Sequence, residues 1–260
     1  YFLSIDSYFT TLLVSLFFGV SFYLFGRKAD KKINYIDQLI LILMVYFIVG
    51  FLVSIPFYLS NFKLTFLSAV FESLSGLTGT GFSTFKNIKY LDPTLILWRS
   101  SSQWIGGLYF LFFLVFLFSN KSFNYKMTNL TFSGDSNFNS EENIKNNALK
   151  IFIFYCILSL VSFTLFNISG IRLFNSLNLT MTFVSGGGFL PLDNLNDIVS
   201  TNFQKISIII SLTFSMLNFY LLFNIFTKKN FIKNHKEDLY LLSLTLIFII
   251  LIYFNNLDLF

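Results

Sequence analysis

The chain has 260 residues, 55% of them hydrophobic, 20% aromatic and 12% charged, with a formal net charge of +5, where an ordinary soluble domain carries about 25% charged residues. Apolar runs of roughly 20 residues, long enough to cross a bilayer, exclude a soluble enzyme or a disordered scaffold and make lipid the solvent. A single cysteine, Cys156, and a single histidine, His235 among lysines, leave too little for a disulfide framework, a thiolate metal site or a catalytic triad, so neither an enzyme nor a bound cofactor is expected. The basic residues fall in loops and not on one polar face, which argues against nucleic acid.

In chain order, spanning helices are predicted at 8–26, 39–60, 94–118, 148–167, 206–227 and 238–253. The organisation reads as a leading helix and basic loop (1–38), a helix, pore loop and helix (39–118), a polar connection (119–147), a second helix, pore loop and helix (148–227), and a basic loop with one further helix (228–260). Twelve of the 18 basic residues cluster at alternate connections: Arg27, Lys28, Lys31 and Lys32; Lys121, Lys126, Lys145 and Lys150; Lys228, Lys229, Lys233 and Lys236. The positive-inside rule puts these loops in the cytoplasm. Lys31, Asn137 and Lys233 are then cytoplasmic, and Lys86 and Asp193 face outside. The asparagine-rich connection, with Glu141 and Glu142 near Lys145, reads either as an ordinary linker or as a docking place for a cytosolic partner.

The outer connections at 61–93 and 168–201 are partly apolar yet too interrupted to span. Each begins with a short helical piece, at about 65–77 and 173–183, followed by glycines and a polar return. Thirteen helical residues cover about 20 Å, short of the ~30 Å hydrocarbon core. Irregular backbone at that depth is tolerated where protein buries it or where it lines a water-filled cavity, so these segments read as re-entrant pore loops. A shift of 106 residues carries 39–60 onto 145–166, Gly81 onto Gly187 and 94–118 onto 200–224. Both copies start and end in the cytoplasm. The expected fold is therefore an all-α integral membrane protein of parallel helix, pore-loop, helix repeats about an axis along the membrane normal, not the inverted repeat of many secondary transporters.

The first loop runs Phe71-Glu72-Ser73-Leu74-Ser75-Gly76-Leu77-Thr78-Gly79-Thr80-Gly81-Phe82-Ser83. The second runs Thr180-Met181-Thr182-Phe183-Val184-Ser185-Gly186-Gly187-Gly188-Phe189. Passing a dehydrated alkali cation requires backbone carbonyls in place of its water shell, and glycine permits the dihedrals that turn them inward. The short helix before each loop directs its partly negative C-terminal end at the same point. The candidate ion-binding residues are Thr78, Gly79, Thr80 and Gly81 with Val184, Ser185, Gly186 and Gly187. Glycines after helices also serve as ordinary C-caps, but two matched loops in a repeat favour the filter. Glu72, in the short helix, is costly in a membrane unless partnered. It reads as a buried acceptor bracing the loop, or as an acid near an aqueous funnel. Arg99 is its candidate partner, with snorkelling to the outer interface as the alternative. Gly106-Gly107 is expected to let a helix pack closely on a pore loop.

The run from Phe71 to Ser83, followed by Leu97-Trp98-Arg99-Ser100-Ser101-Ser102-Gln103-Trp104-Ile105-Gly106-Gly107, resembles the first repeat of the Trk-type potassium uptake family, the TrkH and KtrB relatives. Ser185-Gly186-Gly187-Gly188-Phe189 is similar to that family's second filter. The resemblance implies four such repeats around one pseudo-fourfold pore, as in potassium channels, of which this chain covers about the first two and the start of a third. It further implies potassium as the transported ion, held at the filter residues, in a multi-pass protein of the cell inner (plasma) membrane. A homodimer of pore subunits and a cytoplasmic nucleotide-binding regulatory subunit of the TrkA or KtrA kind are the implied protein partners. Departures from the family pattern are Gly79, Leu190 with Pro191, and Leu108-Tyr109 after the Gly-Gly pair. Sodium in place of potassium, a secondary transporter with re-entrant loops, and a non-conducting truncated relative remain the competing readings. The 260-residue chain alone is expected to insert in the membrane without giving selective uptake, because two loops supply half a carbonyl ring.

Overall fold

The structure, a computed structural model, describes residues 5–28, 34–62, 64–118, 141–216, 240 and 243–247. Residues 119–140 of the expected connection at 119–147, with Asn137, and Lys31, Lys233, His235, the end of the fifth span and most of the sixth lie outside these residues.

The first helix, α1 (Ile5–Gly26), is apolar all round and exposes most of its large side chains, as a helix facing lipid does. Next comes α2 (Tyr35–Leu59), whose start is fixed by the Asp37 carboxylate accepting from the Asn34 amide at 3.3 Å. A short helix, α3 (Phe66–Leu77), is opened by Thr65, whose hydroxyl accepts from the Ser68 amide at 3.3 Å. After a 3-10 turn at Ile88–Tyr90, α4 (Pro93–Phe118) begins on a proline, a residue suited to the first helical position because its missing N–H has no partner there in any case.

The second unit repeats this order with α5 (Glu141–Ile168), the short α6 (Leu173–Val184), a 3-10 turn at Leu195–Asp197 and α7 (Asn202–Met216). A capping box opens α7. Gln204 Oε1 accepts from the Thr201 amide at 3.2 Å while the Gln204 amide donates to Thr201 Oγ1 at 3.3 Å.

Among the described residues three helices are long and apolar enough to cross a membrane: Ile5–Gly26, Ile36–Leu59 and Ala148–Ile168. These correspond to the first, second and fourth of the expected spans, and the end of the fifth and most of the sixth lie outside the described residues. α4, the third expected span, has 26 residues, and its N-terminal half carries Arg99, Ser100, Ser102 and Gln103, all buried in protein.

Each short helix sits in the lap of its own unit. Ser73 on α3 donates to the Gly50 carbonyl of α2 at 2.7 Å, and Trp98 on α4 donates to the Val53 carbonyl at 3.1 Å. An apolar cluster of Phe57, Ala69, Leu91, Leu95 and Ile96 closes the first unit, and Phe166, Ile171, Leu179, Phe183, Val199 and Ile208 close the second. α4 joins the two units by packing on both α5 and α6. Trp104 Nε1 donates to Ser159 Oγ at 2.9 Å and the Tyr155 hydroxyl donates to the Trp104 carbonyl at 3.0 Å.

Candidate functional site

The two short helices end alike. Thr78 caps α3 with φ −82° and ψ −6°, and Ser185 caps α6 with φ −81° and ψ −5°. The next residues, Gly79 and Gly186, are both left-handed at φ 72° and 70°. Their amides turn back to the third residue before them, Gly79 to the Gly76 carbonyl and Gly186 to the Phe183 carbonyl, each at 3.0 Å. The backbone therefore matches the caps at a shift of 107 residues, one more than the sequence comparison assigned. Beyond the caps the loops differ by one residue: the carbonyls of Ser75 and Thr182, equivalent at that shift, accept from the amides of Gly81 and Gly187, so this bond pairs Gly81 with Gly187 at the expected offset, while Gly81 alone of the two is left-handed. Val184 is the last residue of helix α6.

Ser75 stitches the first loop to its helix. Its carbonyl accepts from Thr80 Oγ1 at 3.2 Å and from the Gly81 amide at 3.3 Å, and its hydroxyl donates to the Phe82 carbonyl at 2.6 Å. In the second loop the Gly187 amide donates to the Thr182 carbonyl at 2.7 Å. The two segments touch backbone to backbone. Gly81 is left-handed at φ 74°, and a Cβ added there would lie 2.5 Å from Gly188 Cα and 2.6 Å from its nitrogen.

The expected brace is present. Glu72 is wholly buried and Arg99 is 1% exposed. Glu72 Oε1 takes Arg99 Nε at 2.7 Å and Ser83 Oγ at 3.0 Å; Oε2 takes the Thr84 amide at 2.7 Å and Thr84 Oγ1 at 3.0 Å. Of the alternatives the sequence left open, burial excludes both an acid in an aqueous funnel and an arginine snorkelling to the interface. The far side of Arg99 serves the second loop. Nη1 donates to the Leu190 carbonyl at 3.4 Å, and the guanidinium lies 4.1 Å from the centre of the Phe189 ring.

One turn further along α4, Gln103 Oε1 accepts from the Phe189 amide at 3.3 Å. A further turn along, Gly106 lies against the backbone of Leu77, so that a Cβ would collide with it. A Cβ on Gly107 would come within 2.9 Å of Ser185 Cβ. The pair packs as expected, but each glycine serves a different loop, so α4 is wedged between the ends of both short helices.

Sequence reasoning missed Gln103, Thr84 and Asp193, whose carboxylate accepts from the Ile88 amide and ties the two return limbs together. The spacing of Arg99, Gln103, Gly106 and Gly107 places all four on one helical face, the signal that identifies Gln103 from sequence.

The profile of the family described as TrkH, cation transport protein, matches residues 5–255. A cation transporter of Methanocaldococcus jannaschii, itself described as uncharacterized, is 28% identical over 191 residues, 70% of this chain and 38% of that protein. The Trk system potassium uptake protein TrkH of Halomonas elongata is 33% identical over 91 residues, covering 35% of this chain and 19% of its own. The fold matches the crystal structure of the potassium transporter TrkH from Vibrio parahaemolyticus with a TM-score of 0.72 at 23% identity, over 86% of this chain and 45% of that one. The chain thus spans less than half the length of these relatives. With a family match over nearly all of its residues and a shared helical fold, this apolar chain is a membrane protein of the TrkH family of cation transport proteins.

Proposed function

We propose that this chain forms part of the pore subunit of a Trk-type potassium uptake system in the plasma membrane and supplies two of four filter segments around a pseudo-fourfold axis. The observation that carries the reading is the pair of short helices with matching caps whose glycine segments meet at Gly81 and Gly188. Two helix C-termini, each with a partly negative carbonyl end, stop at the same junction, and the backbone after them is left-handed where a filter needs glycine. The ion-binding segments are Thr78 to Gly81 and Val184 to Gly187. Potassium is the transported ion and not a resident cofactor. Relatives named as potassium uptake proteins support that choice over sodium.

Glu72 and Arg99 support the filter without touching the ion. Lys86, Asp193 and the two 3-10 turns lie on the outer side, and the basic loops are cytoplasmic. A homodimer of pore subunits and a nucleotide-binding regulatory subunit of the TrkA or KtrA kind complete the assembly. The test is Gly81→Ser in the complete protein, read as the ratio of potassium to sodium uptake at matched membrane level. A ratio equal to that of the parent removes Gly81 from the filter.

A further inference from the structure

Resting on the filter reading above, we propose that Gln103 is a positioning residue that sets the second filter segment from the neighbouring repeat, and that it is the group which demands glycine at position 187. Gln103 is wholly buried on α4, a helix of the first unit, yet its side chain meets the second loop twice. Its Oε1 holds the Phe189 amide at 3.3 Å. Its side-chain amide also fills the space beside Gly187: a Cβ there would lie 2.5 Å from Gln103 Cδ and Oε1 and 2.7 Å from Nε2.

Gly187 differs in kind from Gly81. Gly81 is left-handed and is blocked by the backbone of Gly188, whereas Gly187 is outside the left-handed region and the three atoms nearest to a Cβ there all belong to the Gln103 side chain. The constraint at 187 is therefore removable by changing another residue, and the constraint at 81 is not. Gln103 Nε2 has no partner among the described residues. A buried unpaired donor is a net cost to folding; an apolar side chain of equal length removes that one and leaves the Phe189 amide unpaired in its place, one orphan exchanged for another. What glutamine adds at this place is the acceptor for Phe189 and the bulk against Gly187.

The experiment uses the complete protein and reads potassium over sodium uptake at matched membrane level, with thermal unfolding of the detergent-solubilised protein alongside. Gln103→Met keeps the length and removes the acceptor. Unfolding is expected close to the parent temperature, since one unpaired donor replaces another, with the uptake ratio falling about threefold to tenfold, the scale of one lost hydrogen bond. Gly187→Ala is expected to lower the ratio in the parent but to add nothing to Gln103→Ala, because the vacated space takes the methyl group. Gly81→Ala and Gln103→Ala are expected to act independently.

A parent-like ratio in Gln103→Met, or independent effects of Gly187→Ala and Gln103→Ala, overturns the proposal. These outcomes are separable from a failure of the filter reading itself. In that case Gly81→Ser also leaves the ratio unchanged, whereas a damaged ratio in Gly81→Ser with a silent Gln103→Met refutes the role of Gln103 alone.

Discussion

Replacing Glu72 by glutamine changes one atom in a fully buried carboxylate, and the surroundings set the magnitude. Both oxygens face donors only: Arg99 Nε and Ser83 Oγ on one, the amide and hydroxyl of Thr84 on the other. An amide NH2 in either orientation therefore opposes a donor, and the Arg99 charge loses its counter-ion. Nη2 of Arg99 already lacks a partner among the described residues, and Nη1 reaches the Leu190 carbonyl only at 3.4 Å. Breaking a buried pair from one side costs about 3–5 kcal/mol, two to three and a half powers of ten in the folded population. Arg99→Met is expected at the lower end of that range, because the carboxylate keeps its bonds to Ser83 and Thr84.

The second unit shows how to remove both charges. By the register of the caps Leu179 stands where Glu72 does, and Ile208 is as far into α7 as Arg99 is into α4; both belong to the apolar cluster of that unit. Glu72→Leu with Arg99→Ile copies that solution. Charge desolvation disappears, and the remaining cost is the orphaned Thr84 amide and two half-exposed hydroxyls, about 1–3 kcal/mol for the amide. The double variant is thus expected to be more stable than Glu72→Gln, with a coupling of at least ~2 kcal/mol in the cycle completed by Glu72→Leu and Arg99→Ile. It should still lose potassium preference, since nothing then pins Ser83 and Thr84. Chemical unfolding in mixed micelles measures the first quantity and ion uptake the second. Additive singles, with the double variant the least stable of the set, would refute the reasoning.

Gly81→Ser combines a left-handed residue, which costs about 1–2 kcal/mol with a side chain, with a collision against backbone. Its loss of potassium over sodium preference should exceed that of Ser83→Ala, which removes one of the four bonds to Glu72; comparison of the two uptake ratios decides it. Gly106→Ala drives a methyl into the Leu77 backbone and should cost about 1–3 kcal/mol of overpacking. Gly50→Ala meets only the end of the Leu74 side chain and should cost less; the amount of folded protein recovered from membranes ranks the two. Single cysteines at Lys86 and Asn194, both exposed, should react with an impermeant thiol reagent added outside intact cells, and failure of both to label inverts the topology.

The short helices were legible to within a residue at each end, because an apolar run too brief to span, closed by glycine, has few other uses in a membrane chain. The register between the loops was not. Gly186, Gly187 and Gly188 offer three equivalent matches for Gly81, and side-chain similarity cannot choose among residues without side chains. The dihedrals align the caps, through the paired left-handed Gly79 and Gly186, and the amide bonds to Ser75 and Thr182 pair Gly81 with Gly187. Glu72 was legible as a residue in need of a partner, since a lone carboxylate in a membrane is too expensive. Gln103 and Asp193 are neutral or loop-borne and carry no such demand, and their partners lie 86 and 105 residues away. Helix α5 begins at Glu141, well before the expected 148, because a window that scores apolar content stops where the bilayer does while the hydrogen-bonded helix runs on into its polar turns.

The position of the ion pair follows from which surfaces each unit must hold. α7 closes its own unit and can do so with apolar packing, as Leu179 and Ile208 show. α4 has loops on both sides. An aliphatic side chain at position 99 would fill space toward Glu72 but could not also donate to the carbonyl of Leu190 and stack on Phe189, whereas the arginine fork does both from one buried stem. The buried charge is thereby tied to the place where one helix has two glycine loops to register. A change that moves α4 moves Ser83 and Thr84 through Glu72, and Phe189 and Leu190 through Arg99 and Gln103, so the two segments shift together.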